Sequence, residues 1–236
     1  MKRLSSVLIA CAVLALAACS GNAGSGGQTG AGASAAPAAA PTNPTDFPLI
    51  AGATVLATKP FSQTVDASQL KTGGAAFAQG SGTYAGEQVI AKTDKSLDDL
   101  AAWLASRTAS PPPGYVAVTA SGTSVERAHT IAKRYGIDFA AFTRDVGGKK
   151  HGVLLIAMDP ADLDAKLGPA IGWIQKYPSL PAMLRGPADD KLKQLVGMTG
   201  TELLDPGSPL GAALAAYADV KVTNSRALVL VDASKQ

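Results

Sequence analysis

Short apolar runs between turn signals predict most of the strands in this chain. Val, Ile, Leu and Ala cluster in these runs, and Gly, Pro or Asn flank them, as is typical of strands in a sheet. The predicted strands cover residues 54–56, 86–92, 115–119, 137–143, 152–158, 220–222 and 227–231. Residues 153–158 are apolar at every position, so we expect this strand at the centre of a sheet, covered on both faces.

Helices are predicted where apolar residues recur at helical spacing behind a capping residue. Ser96 and Asp99 fit a capping box, and Asp159 followed by Pro160 fits the start of another helix. The predicted helices cover residues 97–107, 123–135, 160–174, 188–196 and 210–218, with a kink or restart at 168–169.

Two predicted hairpins decide the fold class. Gly147 and Gly148 can supply the positive φ of a tight turn between residues 137–143 and 152–158. We expect a second, closing hairpin from residues 220–222 and 227–231, turning at Thr223-Asn224-Ser225. Antiparallel pairs with helices between them indicate an α+β domain, with an antiparallel or mixed sheet covered by helices.

Two strand-to-helix junctions resemble each other. Residues 90–94 precede a helix that contains Trp103, and residues 156–159 precede a helix that contains Trp173. A duplicated β-β-α unit would explain this likeness. Convergence of two junctions on the same capping chemistry would explain it equally well, because one pair does not form a repeat array.

The first residues have the layout of a secretory signal. Lys2 and Arg3 precede an apolar core at 7–16, which is too short to span a bilayer, where about 20 apolar residues are needed. The core ends in Leu16-Ala17-Ala18-Cys19, which resembles the lipobox of bacterial lipoproteins. This resemblance implies that residues 1–18 are removed and that Cys19 carries the lipid. The alternative is an ordinary secretory peptide that happens to contain a cysteine.

Lipidation at Cys19 would attach the protein to a membrane of the cell envelope. Attachment by more than one acyl chain is stable, because each buried methylene contributes about 0.8 kcal/mol. Ser20 stands where lipoproteins retained at the inner membrane have aspartate, so we expect the outer membrane, with the protein facing the periplasm. Cys11 would leave with the signal, so the remaining chain could form no disulfide.

A low-complexity segment separates Cys19 from the predicted domain. Residues 19–45 are rich in Gly, Ala, Ser and Pro and cannot bury enough apolar surface to fold, so we expect a disordered linker. The domain, residues 46–236, opens with Pro48-Leu49-Ile50-Ala51-Gly52-Ala53. This opening is similar to the start of various uncharacterised bacterial lipoproteins, which implies no particular activity.

The charge balance disfavours nucleic acid as a partner. Without Lys2 and Arg3, 19 basic residues face 18 acidic residues, and no basic block occurs along the chain. Binding to nucleic acid or to an anionic membrane patch usually needs such a block. We therefore expect the membrane contact to be made by the lipid.

Motifs of known chemistry do not produce a catalytic or metal site. Ser68-Gln69-Leu70-Lys71 overlaps Lys71-Thr72-Gly73, and one lysine cannot serve both motifs of a penicillin-binding protein. His129 and His151 have cationic neighbours and no ligand at metal spacing, so we interpret both as structural or exposed. The carboxylates of Asp159 and Asp162 are explained by helix capping. We expect no catalytic residue, no metal and no cofactor.

Three aromatic residues are candidate partner contacts. Trp103 and Trp173 lie beside apolar helical faces, and Tyr177 begins a Pro-rich region. The leading hypothesis is a non-enzymatic binding or envelope-assembly protein with an envelope protein as partner. The alternative is an envelope hydrolase with a dispersed site. A histidine in a cleft beside Ser or Asp would favour the hydrolase, whereas an apolar patch or groove would favour binding.

Overall fold

The predicted α+β fold class is confirmed by the computed structural model. The structure describes residues 43–67, 78–118, 123–205, 208–221 and 225–236, with the backbone alone for 123–128 and 218. The described strands form one six-stranded antiparallel sheet, in the order β1-β2-β6-β5-β4-β3. The strands are β1 Thr54–Val65, β2 Gly82–Thr93, β3 Tyr115–Ala117, β4 Ile137–Val146, β5 Lys149–Met158 and β6 Arg226–Lys235.

Helices cover both faces of this sheet. They are α1 Leu97–Ala109, α2 Thr123–Arg134, α3 Pro160–Leu167, α4 Ala170–Lys176, α5 Ala182–Val196, α6 Gly200–Leu203 and α7 Pro209–Lys221, with a 3₁₀ turn at Tyr177–Ser179. Both predicted capping arrangements are present. Ser96 and Asp99 form a capping box, and the Asp159 carboxylate accepts from the Ala161 amide.

The predicted closing hairpin is wrong. Residues 220 and 221 end α7 instead of forming a strand, because Val220 continues the buried helical stripe of Ala212, Ala213 and Ala216. The final strand, β6, pairs with β2 on one side and β5 on the other. The turn proposed at Thr223-Asn224 lies outside the described residues, as do the motifs at 68–73.

The sheet separates two apolar cores. On the first face, which we call the α7 face, Ile156 and Val229 pack against helices that include α7. On the opposite face, the α1 face, Leu155 and Leu230 pack with Leu100. Neighbouring residues of β5 point to opposite faces, and both faces are covered, so the fully apolar run in this strand is buried at the centre as predicted.

The two β-β-α units stand on either side of β6. A half-turn about the long axis of β6 would exchange β2 with β5 and β1 with β4, and would also exchange the two faces of the sheet. Such a half-turn requires the following helices to lie on opposite faces. Leu100 of α1 is in the core of the α1 face, and Leu163 of α3 is in the core of the α7 face. The matched junction residues do not follow this symmetry, because Ile90 and Ile156 both lie in the core of the α7 face and Trp173 belongs to the separate helix α4.

The chain enters the described domain beside the turn between β4 and β5. Phe47 is 1% exposed and contacts Phe142 and Tyr115, each at 5.0 Å between ring centroids. Asp46 lies 3.2 Å from Arg144, which is two residues before the end of β4. Phe47 therefore belongs to the core of the α1 face. None of the helices within the described ranges is long and apolar enough to cross a membrane.

Candidate functional site

The structure distributes the predicted contact residues over both faces. Trp103 is half-buried on the α1 face, where its ring meets Phe47 edge-on at 6.5 Å. Trp173 belongs to α4 and is 41% exposed. Tyr177 is 5% exposed and lies in the core of the α7 face. Cys19 lies outside the described residues. The three aromatic residues therefore do not form a common surface.

Tyr177 is held by an intramolecular contact that glycine makes possible. Its ring lies so close to Gly200 that a Cβ atom there would come within 2.3 Å of the ring carbons. Its hydroxyl is 3.2 Å from the Thr201 hydroxyl. The ring therefore packs under α6, whereas Trp173 remains available at the surface.

A groove of about 420 Å³ runs between α1 and β4. It is lined by Ala101, Leu104, Ala105, Thr108, Ala109, Val118, His129, Asp138, Phe139, Ala140 and Ala141. Its walls are mainly apolar, and its polar side chains come from Thr108, His129 and Asp138. An apolar groove with few polar groups is the usual form of a binding site.

Small residues at helical spacing create the groove. Ala101, Ala105 and Ala109 recur every four positions and therefore form one stripe along α1. On the other side of the groove, β3 ends at Ala117. The last described hydrogen bond to the outer edge of β4 is donated by the Val118 amide to the Ala141 carbonyl. Short side chains and a short neighbouring strand together leave room along β4.

His129 marks one end of the groove. Its ring stacks on Phe139 with centroids 4.0 Å apart and an interplanar angle of 13°. Its Nδ1 is 3.9 Å from Asp138 Oδ1, which also accepts from the Phe139 amide at 2.9 Å. Burial lowers the pKa of His129 below its usual 6.5, and this effect outweighs the opposing attraction of Asp138. A neutral imidazole at this position can both donate and accept a hydrogen bond.

A second histidine pairs with aspartate on the α1 face, outside the groove lining. His151 Nδ1 is 2.7 Å from Asp232 Oδ1, and Arg144 Nη2 is 2.5 Å from Asp232 Oδ2. Asp232 is 5% exposed. The Arg144 guanidinium lies 5.3 Å from the centre of the Tyr115 ring. We call these four residues the Asp232 cluster.

The Asp232 cluster balances charge within a buried part of the sheet. A buried carboxylate is costly unless it is paired, and Asp232 has the His151 contact at Oδ1 and, at Oδ2, an ion pair with Arg144 that lacks hydrogen-bond geometry. Burial raises the pKa of Tyr115 to about 12, although the Arg144 charge opposes this rise. The cluster fixes the His151 ring through the contact of its Nδ1 with Asp232 Oδ1.

The sequence contained only a partial signal for the cluster. Asp232 interrupts the apolar run of β6, and a charged residue near the end of a buried strand calls for a partner. Arg144 and His151 could not be assigned as its partners, because pairing with β6 depends on the sheet order. His129 was predicted as structural or exposed, and its position beside Phe139 was missed because the helix register against β4 is not encoded locally.

Neither metal-binding groups nor similar proteins indicate a chemistry for the described part of the chain. In the part that the structure describes, no group of three or more His, Cys, Asp or Glu residues is placed to hold a metal ion. Comparison with protein-family models, with curated proteins and with solved structures finds no match. The groove and the two His–Asp pairs are the features from which a function can be argued.

Proposed function

We propose that the protein is a lipid-anchored, non-enzymatic binding module of the cell envelope. Cys19 carries the lipid, the outer membrane holds it, and the domain faces the periplasm. The groove between α1 and β4 receives an apolar segment of an envelope protein. The lipobox-like sequence supports the anchor, and the lining of the groove is the observation that supports binding.

The chemistry of the groove defines the partner segment. Its volume, about 420 Å³, falls within the range of about 300–1,000 Å³ for ligand pockets. Alanine side chains along α1 admit bulky apolar side chains, which would be removed from water on binding. His129 offers one hydrogen bond at the end of the groove. We expect a segment with apolar side chains and a single polar group placed to meet the imidazole.

Site-specific crosslinking in cells tests the binding proposal. A photo-crosslinking residue at Ala105 would sit in the groove, while the same residue at Ala102 serves as the matched control. Both alanines are exposed on α1, and only Ala105 lines the groove. We expect a defined adduct with an envelope protein from position 105 and none from position 102. Equal adducts from both positions, or none from either, would contradict the proposal.

Cell fractionation tests the anchor separately. Cys19→Ala removes the only thiol to which the lipid could be attached after processing. We expect the variant to be found in the soluble fraction, with the unchanged chain in the membrane fraction. Membrane association that survives this substitution would refute lipidation at Cys19 and would leave the groove proposal intact.

The second candidate function, an envelope hydrolase, is favoured by both histidines: His129 lies beside Asp138 in the groove, and His151 makes a short contact with Asp232. A carboxylate at Nδ1 orients a histidine that acts as a general base through Nε2. Asp232 also pairs with Arg144, which gives the contact a structural role without catalysis. Activity towards ester and peptidoglycan substrates that is lost in His129→Ala or in His151→Ala, with the fold retained, would favour the hydrolase. We expect no such activity.

A further inference from the structure

Two adjacent lysines and a third that is distant in the sequence meet at one end of the sheet. Lys149, Lys150 and Lys235 line a concavity of about 320 Å³ together with Gln79, Gly80 and Tyr84. The first two lysines begin β5, and Lys235 ends β6. Because these strands are antiparallel neighbours, the start of one lies beside the end of the other. We call this region the lysine end.

The lysines are available to an outside anion. Among the described residues, none of the three ammonium groups has a carboxylate within the 4.0 Å limit of an ion pair. Asp145, the cross-strand neighbour of Lys150, also lies beyond that limit. The wall is held in place by Tyr84, whose hydroxyl donates to the Gly80 carbonyl and accepts from the Gln79 amide, both at 3.0 Å.

The chain enters the domain at this same end. Asp46 contacts Arg144, and Val146, 42% exposed, stands beside the Gly147-Gly148 turn. Twenty-three residues separate Cys19 from Asn43, the first described residue. The sequence predicts a disordered linker here, and such a linker would have a root-mean-square span of about 25–30 Å. A lipid at Cys19 would therefore hold the lysine end within reach of the bilayer surface.

We propose that the lysine end rests on the anionic headgroups of the leaflet that holds the Cys19 lipid. This inference depends on the proposed lipid anchor for its cellular setting. Each lysine near an anionic surface strengthens binding by roughly fivefold, so three lysines together contribute about 100-fold. The exposed Val146 adds an apolar side chain at the interface. The contact orients the domain as well as retaining it.

This orientation keeps the groove accessible. The groove reaches Ala141 of β4, five residues before the exposed Val146. At about 3.4 Å per residue, this distance corresponds to about 17 Å along the strand. With the lysine end on the headgroups, the groove would lie above the membrane surface.

Vesicle binding by a chain without lipid tests the proposal. The chain from residue 19 with Cys19→Ser is mixed with vesicles of phosphatidylcholine alone or of phosphatidylcholine with phosphatidylglycerol. We expect binding to the anionic vesicles and little to the neutral ones. The triple variant Lys149→Glu, Lys150→Glu, Lys235→Glu should bind at least about 100-fold more weakly.

A control with the same change in charge separates the lysine end from net charge. Lys176, Lys191 and Lys193 are exposed on α4 and α5, and their replacement by Glu should weaken vesicle binding much less. Circular dichroism and urea unfolding would check that both triple variants fold. Equal losses in the two variants, or no preference of the parent chain for anionic vesicles, would overturn the inference.

Free phosphate distinguishes a membrane surface from a discrete anion site. At constant ionic strength, inorganic phosphate should leave the binding to anionic vesicles unchanged. Displacement by phosphate would show a site for a single anion and would contradict docking on headgroups. Because the assayed chain has no lipid, these results are independent of whether Cys19 is lipidated in cells.

Discussion

Two histidines of this chain each face an aspartate, in surroundings that differ. His151 and Asp232 are 2.7 Å apart on the α1 face, and Arg144 supports the carboxylate from its other oxygen. His129 and Asp138 are 3.9 Å apart, and the imidazole stacks on Phe139 at the end of an apolar groove. The first pair belongs to the Asp232 cluster. The second leaves a histidine in contact with an open groove.

This difference teaches that the shorter contact is not necessarily the functional one. Asp232 is 5% exposed, and its contacts with Arg144 and His151 offset the cost of burying the carboxylate. Asp138 is coupled more weakly to His129, because the two groups are 3.9 Å apart and the carboxylate also accepts a hydrogen bond from the Phe139 amide. We therefore propose that the Asp232 cluster stabilises the fold and that the groove serves recognition.

The largest expected effect is the loss of stability on removing Asp232. Asp232→Ala leaves the Arg144 guanidinium, with 12% of its side chain exposed, without its buried partner. Breaking a buried pair in this way costs about 3–5 kcal/mol in the free energy of unfolding. The matched change Asp138→Ala should cost about 1 kcal/mol, mainly through the Phe139 amide. Urea unfolding of both variants measures the difference, and equal losses would refute the assignment.

Replacing the histidines should also destabilise the Asp232 cluster more than the groove, with smaller losses in the free energy of unfolding. His151→Ala removes a hydrogen bond to a charged group, which is worth about 1.5–3 kcal/mol. His129→Ala removes an aromatic stack on Phe139, which is worth about 0.5–1.5 kcal/mol. Chemical denaturation can rank the two variants. A larger loss of stability from His129→Ala would reverse our assignment of the structural pair.

The pH dependence should distinguish His129 by the direction of its titration. Burial lowers its pKa, so the unfolded chain binds the proton more tightly than the folded chain. Stability should therefore fall as the pH drops below about 6.5 towards the lower folded pKa. Histidine NMR titration measures the shift, and His129→Gln should abolish this contribution. A folded pKa for His129 at or above 6.5 would contradict the burial argument.

Tyr115 provides the smallest and most local test of the cluster. Burial raises its pKa to about 12, so its phenol should ionise about two pH units above the usual value near 10. The neutral form is favoured on folding, and its contribution to stability should be lost as the pH rises from about 10 through 12. Ultraviolet titration against Tyr115→Phe isolates the signal. Ionisation near 10 would show that the phenol is not buried.

Local features of the fold could be predicted, and distant ones could not. The capping box at Ser96 and the cap at Asp159 depend on residues three positions apart or fewer, so the sequence pattern was sufficient. The central place of β6 depends on pairing with two strands far away in the chain. The last residues of the alanine-rich helix α7, Val220 and Lys221, were therefore predicted as part of the first strand of a hairpin.

The same limit applies to the sites. His151 and Asp232 are 81 positions apart, and no local pattern links them. Lys235 joins Lys149 and Lys150 only because β5 and β6 are neighbours, so a chain without a basic block still produces a basic concavity. The alanine stripe of α1 is visible in the sequence. Whether other residues would cover it could not be predicted, because that depends on the short length of β3.

The most direct test of the central claim compares a blocked groove with a broken cluster. The partner is first identified by crosslinking from position 105. Its adduct is then compared in cells between two variants, each of which carries the crosslinker at a position flanking the groove. Ala105→Trp fills the groove, and His151→Ala leaves it open while removing the shorter His–Asp contact. We predict that Ala105→Trp abolishes the adduct and that His151→Ala retains it. The opposite pattern would place recognition at the Asp232 cluster and contradict the account.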